Sequence, residues 1–242
     1  MRHLLILVPL ALSATLAVAQ PAEVHPSATS ITYSKYRKQS TDPIYSLSKI
    51  KALIKKIKRD QDDNMVMPDK TFAALTPKEK FSYTVLHGED FSQNCSEMPQ
   101  FEDEHKKLFA YFPSPFGDEA VWSDRQRAFL DKNHALVVKC LRETIAVRKR
   151  IGVNLKQTIV YAKATELVPT VIALYKKDHK DHDILTLLMQ IMVDAKYKPF
   201  EETAFFKTLY SEDASYQAFV PFNSANEAKI LDLAQRYVKS LK

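Results

Sequence analysis

Apolar residues recur at helical spacing between residues 152 and 198, and this pattern is the strongest constraint on the fold. It follows the i, i+3, i+4, i+7 rule of an amphipathic helix, whose apolar face spans about 100° or more. A face of that width has to be covered by another element, so several helices are expected to pack together. The clearest stripe consists of Ile184, Leu187, Leu188, Ile191, Met192 and Ala195.

Two prolines divide this stretch into separate helices. Pro169 and Pro199 suit the first turn of a helix, because proline has a fixed φ and lacks only an N–H that would be unpaired there. The short connections predict that neighbouring helices pack antiparallel. We therefore predict an all-α fold, either an irregular multi-helix bundle or a short α-solenoid of antiparallel helix pairs. No repeat of fixed period decides between these two architectures.

The composition agrees with a helical class. Only 3 of the 242 residues are glycine, well below the usual share of roughly 7%. Tight hairpins and phosphate-binding loops usually need glycine, whereas helices do not. The sequence also lacks the motifs of zinc metalloproteases, serine hydrolases, P-loop enzymes and dinucleotide-binding proteins. We therefore lean towards a protein that is not an enzyme, and we predict no cofactor.

The first nineteen residues have the pattern of a secretory signal peptide. Arg2 and His3 precede an apolar run, and small residues at 17–19 suit cleavage before Gln20. An uncleaved membrane anchor is the alternative, but a run of roughly 15 residues is shorter than the roughly 20 that span a bilayer. We predict a secreted or periplasmic protein with no transmembrane segment after signal cleavage.

The rest of the chain divides into a linker and one domain. Residues 20–41 are rich in proline, serine and threonine and show no apolar periodicity, so we predict a disordered linker there. Residues 42–242 are predicted to form a single all-helical domain. Asp42 and Pro43 suit the start of its first helix, as an N-cap residue followed by proline at the first helical position.

Two cysteines in an exported chain suggest a disulfide. Cys95 lies in a polar segment and Cys140 on a predicted helix. Their pairing would close a loop of roughly 45 residues and constrain the unfolded chain by about 4 kcal/mol. A buried free thiol at Cys140 is the alternative. We predict the disulfide.

The helix after Asp42 has one apolar and one basic side. Leu47, Ile50, Ile54 and Ile57 form a narrow seam, and the basic side includes Lys55, Lys56 and Lys58. Such a helix can bind an anionic surface or an acidic partner. It can also dock its seam on the core and leave a solvated lysine face.

A second candidate binding surface is the aromatic loop at 109–122. It contains Phe112, Phe116 and Trp122 together with two prolines and a glycine. Aromatic rings on a rigid loop can form a platform for a partner, since they supply contact area at low entropic cost. The alternative is that these rings fill the space between two parts of the fold.

The densest cluster of carboxylates and imidazoles lies at residues 178–183. Asp178, His179, His182 and Asp183 could bind a metal ion if they converge, because the two histidines are three residues apart. The cluster also lies where one helix should end and the next begin. There, the carboxylate of Asp181 or Asp183 would stabilise the new N-terminus and His179 the old C-terminus. We prefer this helix-terminus interpretation and predict no bound metal.

Two functions from different classes remain. The first is an exported, non-enzymatic interaction or scaffold module whose partner is an unidentified protein or an anionic envelope component. The second is a metal-dependent hydrolase that uses the cluster at 178–183. Nucleic acid is not an expected partner, because a formal charge of +6 is modest for this length and the chain is predicted to be exported.

Overall fold

The computed structural model describes residues 25–93, 101–117 and 119–241, and they form a mostly helical fold. The predicted all-α class is confirmed. The helices are α1 (Ala28–Arg37), α2 (Leu47–Ile54), α3 (Asp69–Ala73), α4 (Pro77–Leu86), α5 (Asp124–Lys132), α6 (His134–Arg148), α7 (Val153–Tyr161), α8 (Val168–Tyr175), α9 (Asp183–Asp194), α10 (Lys198–Glu201), α11 (Ala204–Leu209) and α12 (Ser224–Ser240). The strands are β1 (Asp90–Phe91), β2 (Lys107–Phe109), β3 (Ala120–Val121) and β4 (Phe219–Pro221).

Helix α9 lies at the centre of the fold. Every residue from Asp183 to Met192 is buried, and the helix contacts α7, α8, α10 and α12. Because α12 packs against both α8 and α9, the helices close into a bundle, whereas a solenoid repeat would contact only its neighbours. None of the helices in the described ranges has a long enough apolar stretch to cross a bilayer.

Two antiparallel strand pairs connect distant parts of the chain. In the first, β1 pairs with β3 and places Asp90 opposite Val121. In the second, β2 pairs with β4 and places Leu108 opposite Val220. The second pair lies against α9, where the carbonyl of Phe109 accepts a 3.0 Å hydrogen bond from the Thr186 hydroxyl. The strands therefore join the middle of the chain to its C-terminal part.

A smaller apolar cluster lies beneath α2. Ile50, Met67, Leu75 and Tyr83 are buried together, and Leu86 contacts both this cluster and the main core. Helix α2 begins at Leu47, after a residue in the left-handed region, and not at Asp42 as the sequence predicts. Of its predicted apolar seam, Ile50 is buried in this cluster and Ile54 and Ile57 pack against it.

Part of the predicted linker is helical, which corrects the prediction for residues 28–37. Helix α1 starts at the N-cap Ser27, whose hydroxyl accepts a 3.1 Å hydrogen bond from the Ser30 amide. Its buried residues are Ser30, Tyr33 and Arg37. They have helical spacing but largely polar side chains, so hydrophobic periodicity does not reveal them.

Candidate functional site

The three lysines predicted to bind a partner lie just beyond the end of α2. Lys55, Lys56 and Lys58 are exposed, and no described carboxylate forms an ion pair with them. Lys49, on the helix itself, differs because its Nζ is 2.7 Å from Oε1 of Glu79. The three lysines, here called the α2 lysines, thus form a group of positive charges without a described counter-charge.

The aromatic loop is packed mainly into the fold. Trp122 is 6% exposed, and its indole N–H donates a 2.7 Å hydrogen bond to the carbonyl of Thr84. Phe112 and Phe116 are partly buried against the main core. These three rings therefore do not form an exposed platform. Tyr111, 61% exposed, is the ring that this loop presents to solvent.

Asp178 and His179 lie at the end of α8 and are exposed. His179 has φ 53° and its amide bonds to the carbonyl of Tyr175, so it ends that helix as predicted from its position. Its Nδ1 is 2.5 Å from Oε1 of Glu227, which also accepts a 2.7 Å hydrogen bond from the Tyr175 hydroxyl. Burial raises the pKa of Glu227, but these two partners outweigh burial and place it below its ordinary value.

His182 points into the fold beside aromatic rings. Its ring is stacked on Phe222 with centroids 3.5 Å apart, and it is 5.1 Å from the ring of Tyr33. Burial lowers the pKa of His182 to about 4, so the imidazole is neutral at neutral pH. The His182 ring thus packs between Tyr33 of α1 and Phe222, the residue that follows β4.

Asp183 is the most tightly bound residue of the predicted metal cluster. Its Oδ1 and Oδ2 accept hydrogen bonds of 2.7 and 3.0 Å from Nη2 and Nε of Arg37. Nη1 of the same guanidinium donates a 2.8 Å bond to Oε1 of Glu104. All three side chains are at least nine-tenths buried. The bidentate geometry is the strongest form of carboxylate recognition by arginine.

Lys156 extends this ion-paired group. Its Nζ is 2.6 Å from Oδ1 of Asp181 and 3.9 Å from Oδ2 of Asp183, and the lysine side chain is fully buried. We refer to Arg37, Glu104, Lys156, Asp181 and Asp183 as the α1 network. It joins α1, α7 and the start of α9 through charged contacts.

The two aspartates of the α1 network have opposite pKa shifts. Burial raises the pKa of both, but for Asp183 the charges of Arg37 and Lys156 outweigh burial and lower it. Asp181 has Lys156 as its main partner and lies beside the negative Asp183, so its pKa is raised. Asp183 is therefore held in its ionised form.

The described residues contain no group of three or more His, Cys, Asp or Glu side chains placed to hold a metal ion. The structure does not bring the four predicted residues together. His179 contacts Glu227 near the surface, whereas Asp183 contacts Arg37 inside the fold. The hydrolase hypothesis remains a prediction from sequence.

A second buried ionic group lies at the start of β1. Glu89 is 1% exposed and accepts hydrogen bonds of 2.6 Å from the Tyr83 hydroxyl, 2.5 Å from the Ser123 hydroxyl and 2.7 Å from Nε of Arg125. Burial raises the pKa of Glu89, but Arg125 and the two hydroxyls outweigh it and lower the pKa. Arg125 connects α5 to the start of α3, since it also donates a hydrogen bond to Asp69.

The sequence does not reveal the buried partners in these two groups. Lys156 had one signal, because it lies among apolar residues in a helix that is buried on nearly all sides. Arg37 had none, since it lies in a polar segment. Asp181 is 25 residues from Lys156 along the chain, and Asp183 is 146 residues from Arg37. Sequence spacing does not indicate contacts over such separations.

The predicted disulfide remains a prediction. Cys140 is fully buried and forms no disulfide with another described residue, and burial raises the pKa of its thiol. Cys95 lies outside the described residues, as do residues 1–19, for which a signal peptide is predicted.

The chain shows no match to a family model, to a curated protein or to a solved structure.

Proposed function

We propose that this chain is an exported, non-enzymatic helical protein that binds an anionic partner through the α2 lysines. The observation that carries the proposal is their exposure without a described counter-charge. Three such charges within four residues create a local positive potential that extends about 8 Å at physiological ionic strength. An acidic protein or an anionic envelope polymer is the matching partner.

The structure beneath the α2 lysines supports their use as a binding surface. Ile50 is fully buried in the cluster with Met67 and Tyr83, so α2 is anchored by its apolar side. The chain that follows it runs back to the core, where the Met65 amide donates a 2.7 Å hydrogen bond to the Glu89 carbonyl. The lysines are thus presented from a segment that is fixed at both ends, which lowers the entropic cost of binding.

Export is the part of the proposal that sequence supports. Arg2, the apolar run and the small residues before Gln20 have the order of a cleaved signal peptide. N-terminal sequencing of protein recovered from outside the cytoplasm checks this directly. The expected first residue is Gln20, and an N-terminus at Met1 would contradict cleavage.

The binding proposal is tested by elution from immobilised heparin, a soluble polyanion, in a salt gradient. A lysine close to an anionic surface contributes about 1 kcal/mol. Reversing all three α2 lysines to glutamate should therefore weaken binding by roughly 100-fold or more. The variant is expected to elute at a much lower salt concentration than the unaltered chain.

A matched control separates the α2 lysines from the overall charge. Lys132, Lys207 and Lys239 are exposed lysines on α5, α11 and α12, and changing them to glutamate alters the net charge equally. That control should elute close to the unaltered chain. Equal losses in both triple variants would mean that net charge and not the α2 lysines determines binding.

The hydrolase alternative has no structural observation in its favour. Elemental analysis of the purified chain and of a His179→Ala, His182→Ala variant tests it separately. A stoichiometric metal that is lost in the variant would support the hydrolase and count against a purely non-enzymatic protein.

A further inference from the structure

A cavity of about 360 Å³ lies where the end of α1 meets α6 and α8. Its size is at the lower end of the range for small-molecule sites, roughly 300–1,000 Å³. Its lining includes Tyr36, Arg150, Leu174 and Lys177. We call it the α1 cavity. It does not include any of the α2 lysines.

The positive charges of the α1 cavity are only partly balanced. Arg150 donates hydrogen bonds to the backbone carbonyls of Tyr36, Gln39 and Ser40, and no described carboxylate pairs with it. Its Nε is buried and has no hydrogen-bond partner among the described residues. Lys177 is exposed and also has no described ion-pair partner.

The carboxylates that line the α1 cavity, Asp178 and Asp181, cancel these charges only in part, although the charge of Arg150 does act on Asp181. Asp181 is bound to the buried Lys156 at 2.6 Å, so its charge is already matched inside the fold. Asp178 lies at the exposed rim, where it accepts a 3.1 Å hydrogen bond from the backbone amide of Lys180. A third cation, Lys149, adds to the rim.

The same cavity has an apolar wall. Leu174 and Ile184 line it, and the ring of Tyr36 lies 4.8 Å from the guanidinium carbon of Arg150. Small-molecule sites generally combine such apolar walls with a few polar groups that fix the orientation of the ligand. A ligand that fits this arrangement has an apolar body and one negative group.

We propose that the α1 cavity binds a small amphipathic organic anion, such as a carboxylate or sulfonate. The apolar body of the ligand lies against Leu174 and Tyr36, and its anionic group lies near Arg150 and Lys177. This binding is independent of the proposed function, since the two use different residues.

Fluorescence titration with the probe 1-anilinonaphthalene-8-sulfonate tests the proposal on the purified full chain. We expect saturable binding of one probe per chain. A Lys177→Glu variant replaces attraction by repulsion at the rim and should weaken binding about tenfold. The matched control is Lys176→Glu, because Lys176 is the exposed neighbour in sequence and does not line the cavity. It should bind the probe as the unaltered chain does.

A second variant tests the apolar wall without changing charge. Leu174→Trp places a larger side chain on that wall and should reduce probe binding about tenfold or more while the near-UV circular dichroism retains its native form. Equal binding by the Lys177→Glu and Lys176→Glu variants, or unchanged binding by Leu174→Trp, would overturn the proposal.

Competition defines the ligand class. Octanoate should displace the probe, whereas octylamine, with the same chain and the opposite charge, should not. Displacement by inorganic phosphate as effectively as by octanoate would contradict the need for an apolar body. The variant with all three α2 lysines changed to glutamate should bind the probe normally, so failure of this proposal and failure of heparin binding are distinguishable.

Discussion

The α2 lysines and the α1 network both carry positive charge, but they differ in what surrounds that charge. Lys55, Lys56 and Lys58 face solvent and have no described counter-charge. Arg37 and Lys156 are buried, and each is held by a carboxylate at 2.6–2.8 Å. The same residue types therefore serve two purposes, and burial decides which. Buried cations must be paired because an uncompensated charge in the interior is costly.

The comparison also shows why the α1 network is a poor candidate for catalysis. A carboxylate that accepts both hydrogen bonds of a bidentate arginine is stabilised in its ionised form, which disfavours proton uptake. Its role in this fold is to attach α1 to the start of α9. The α2 lysines form no such ion pairs with described residues, so their charges are available to a partner.

The largest effect is expected when Asp183 is replaced by alanine. Arg37 would then keep only Glu104 as a partner inside the fold, and breaking a buried ion pair costs about 3–5 kcal/mol. Urea denaturation should show this loss in the free energy of unfolding. Asp232→Ala removes an exposed pair with Arg236 and should cost about 0.5 kcal/mol or less. Similar values for the two variants would contradict the contrast between buried and exposed charges.

A smaller, pH-dependent loss is expected for Lys156→Met. The variant leaves Asp181 buried without its main cation, which costs about 2–3 kcal/mol at neutral pH. Because the pKa of Asp181 is raised already, removal of Lys156 raises it further. The carboxyl therefore becomes neutral as the pH falls through that pKa, and the loss relative to the unaltered chain should shrink. Urea denaturation at several pH values measures this loss in the free energy of unfolding. A loss that grows towards low pH would contradict the role assigned to Asp181.

A loss of about 1 kcal/mol is expected for Ser27→Ala. This change removes the N-cap hydroxyl that accepts the hydrogen bond from the Ser30 amide at the start of α1. Thr29→Ala is the control, since Thr29 is exposed within the first turn of the same helix. Thermal denaturation of both variants measures the difference. If the two have equal stability, the N-cap of α1 contributes nothing.

The smallest effect on stability is expected for the α2 lysines. Changing all three to glutamate should alter the free energy of unfolding by about 0.5 kcal/mol or less per residue, because exposed side chains without partners contribute little. A large destabilisation in urea would mean that these lysines stabilise the fold. It would contradict the expected difference in stability between the α2 lysines and the α1 network.

The sequence predicts the fold class well because periodicity and capping are local signals. The capping boxes at Thr76 and Ser123 are present, with Glu79 and Gln126 completing them. Helix α12 has a local cap as well, since the Asn223 side chain accepts a hydrogen bond from the Asn226 amide. These signals depend on residues no more than a few positions apart, so they survive without any knowledge of the tertiary structure.

The site is harder to predict because its contacts join distant positions. Helix α1 escapes notice since its buried face carries Ser30, Tyr33 and Arg37, and no apolar stripe marks it. From the sequence, the aromatic loop could form a binding surface or pack into the fold. The hydrogen bond from the buried Trp122 to the Thr84 carbonyl, which favours packing, joins residues 38 positions apart. The exposure of Lys55 is consistent with the amphipathic pattern, yet that pattern cannot show whether a partner binds.

Photocross-linking in producing cells tests the central claim most directly. A benzophenone amino acid at position 56 lies among the α2 lysines, and the same group at position 207 on α11 is the control. The account predicts a discrete cross-linked species from position 56 that disappears when Lys55 and Lys58 become glutamate, with none from position 207. An adduct that persists after those two changes, or equal adducts from both positions, would contradict binding through the α2 lysines.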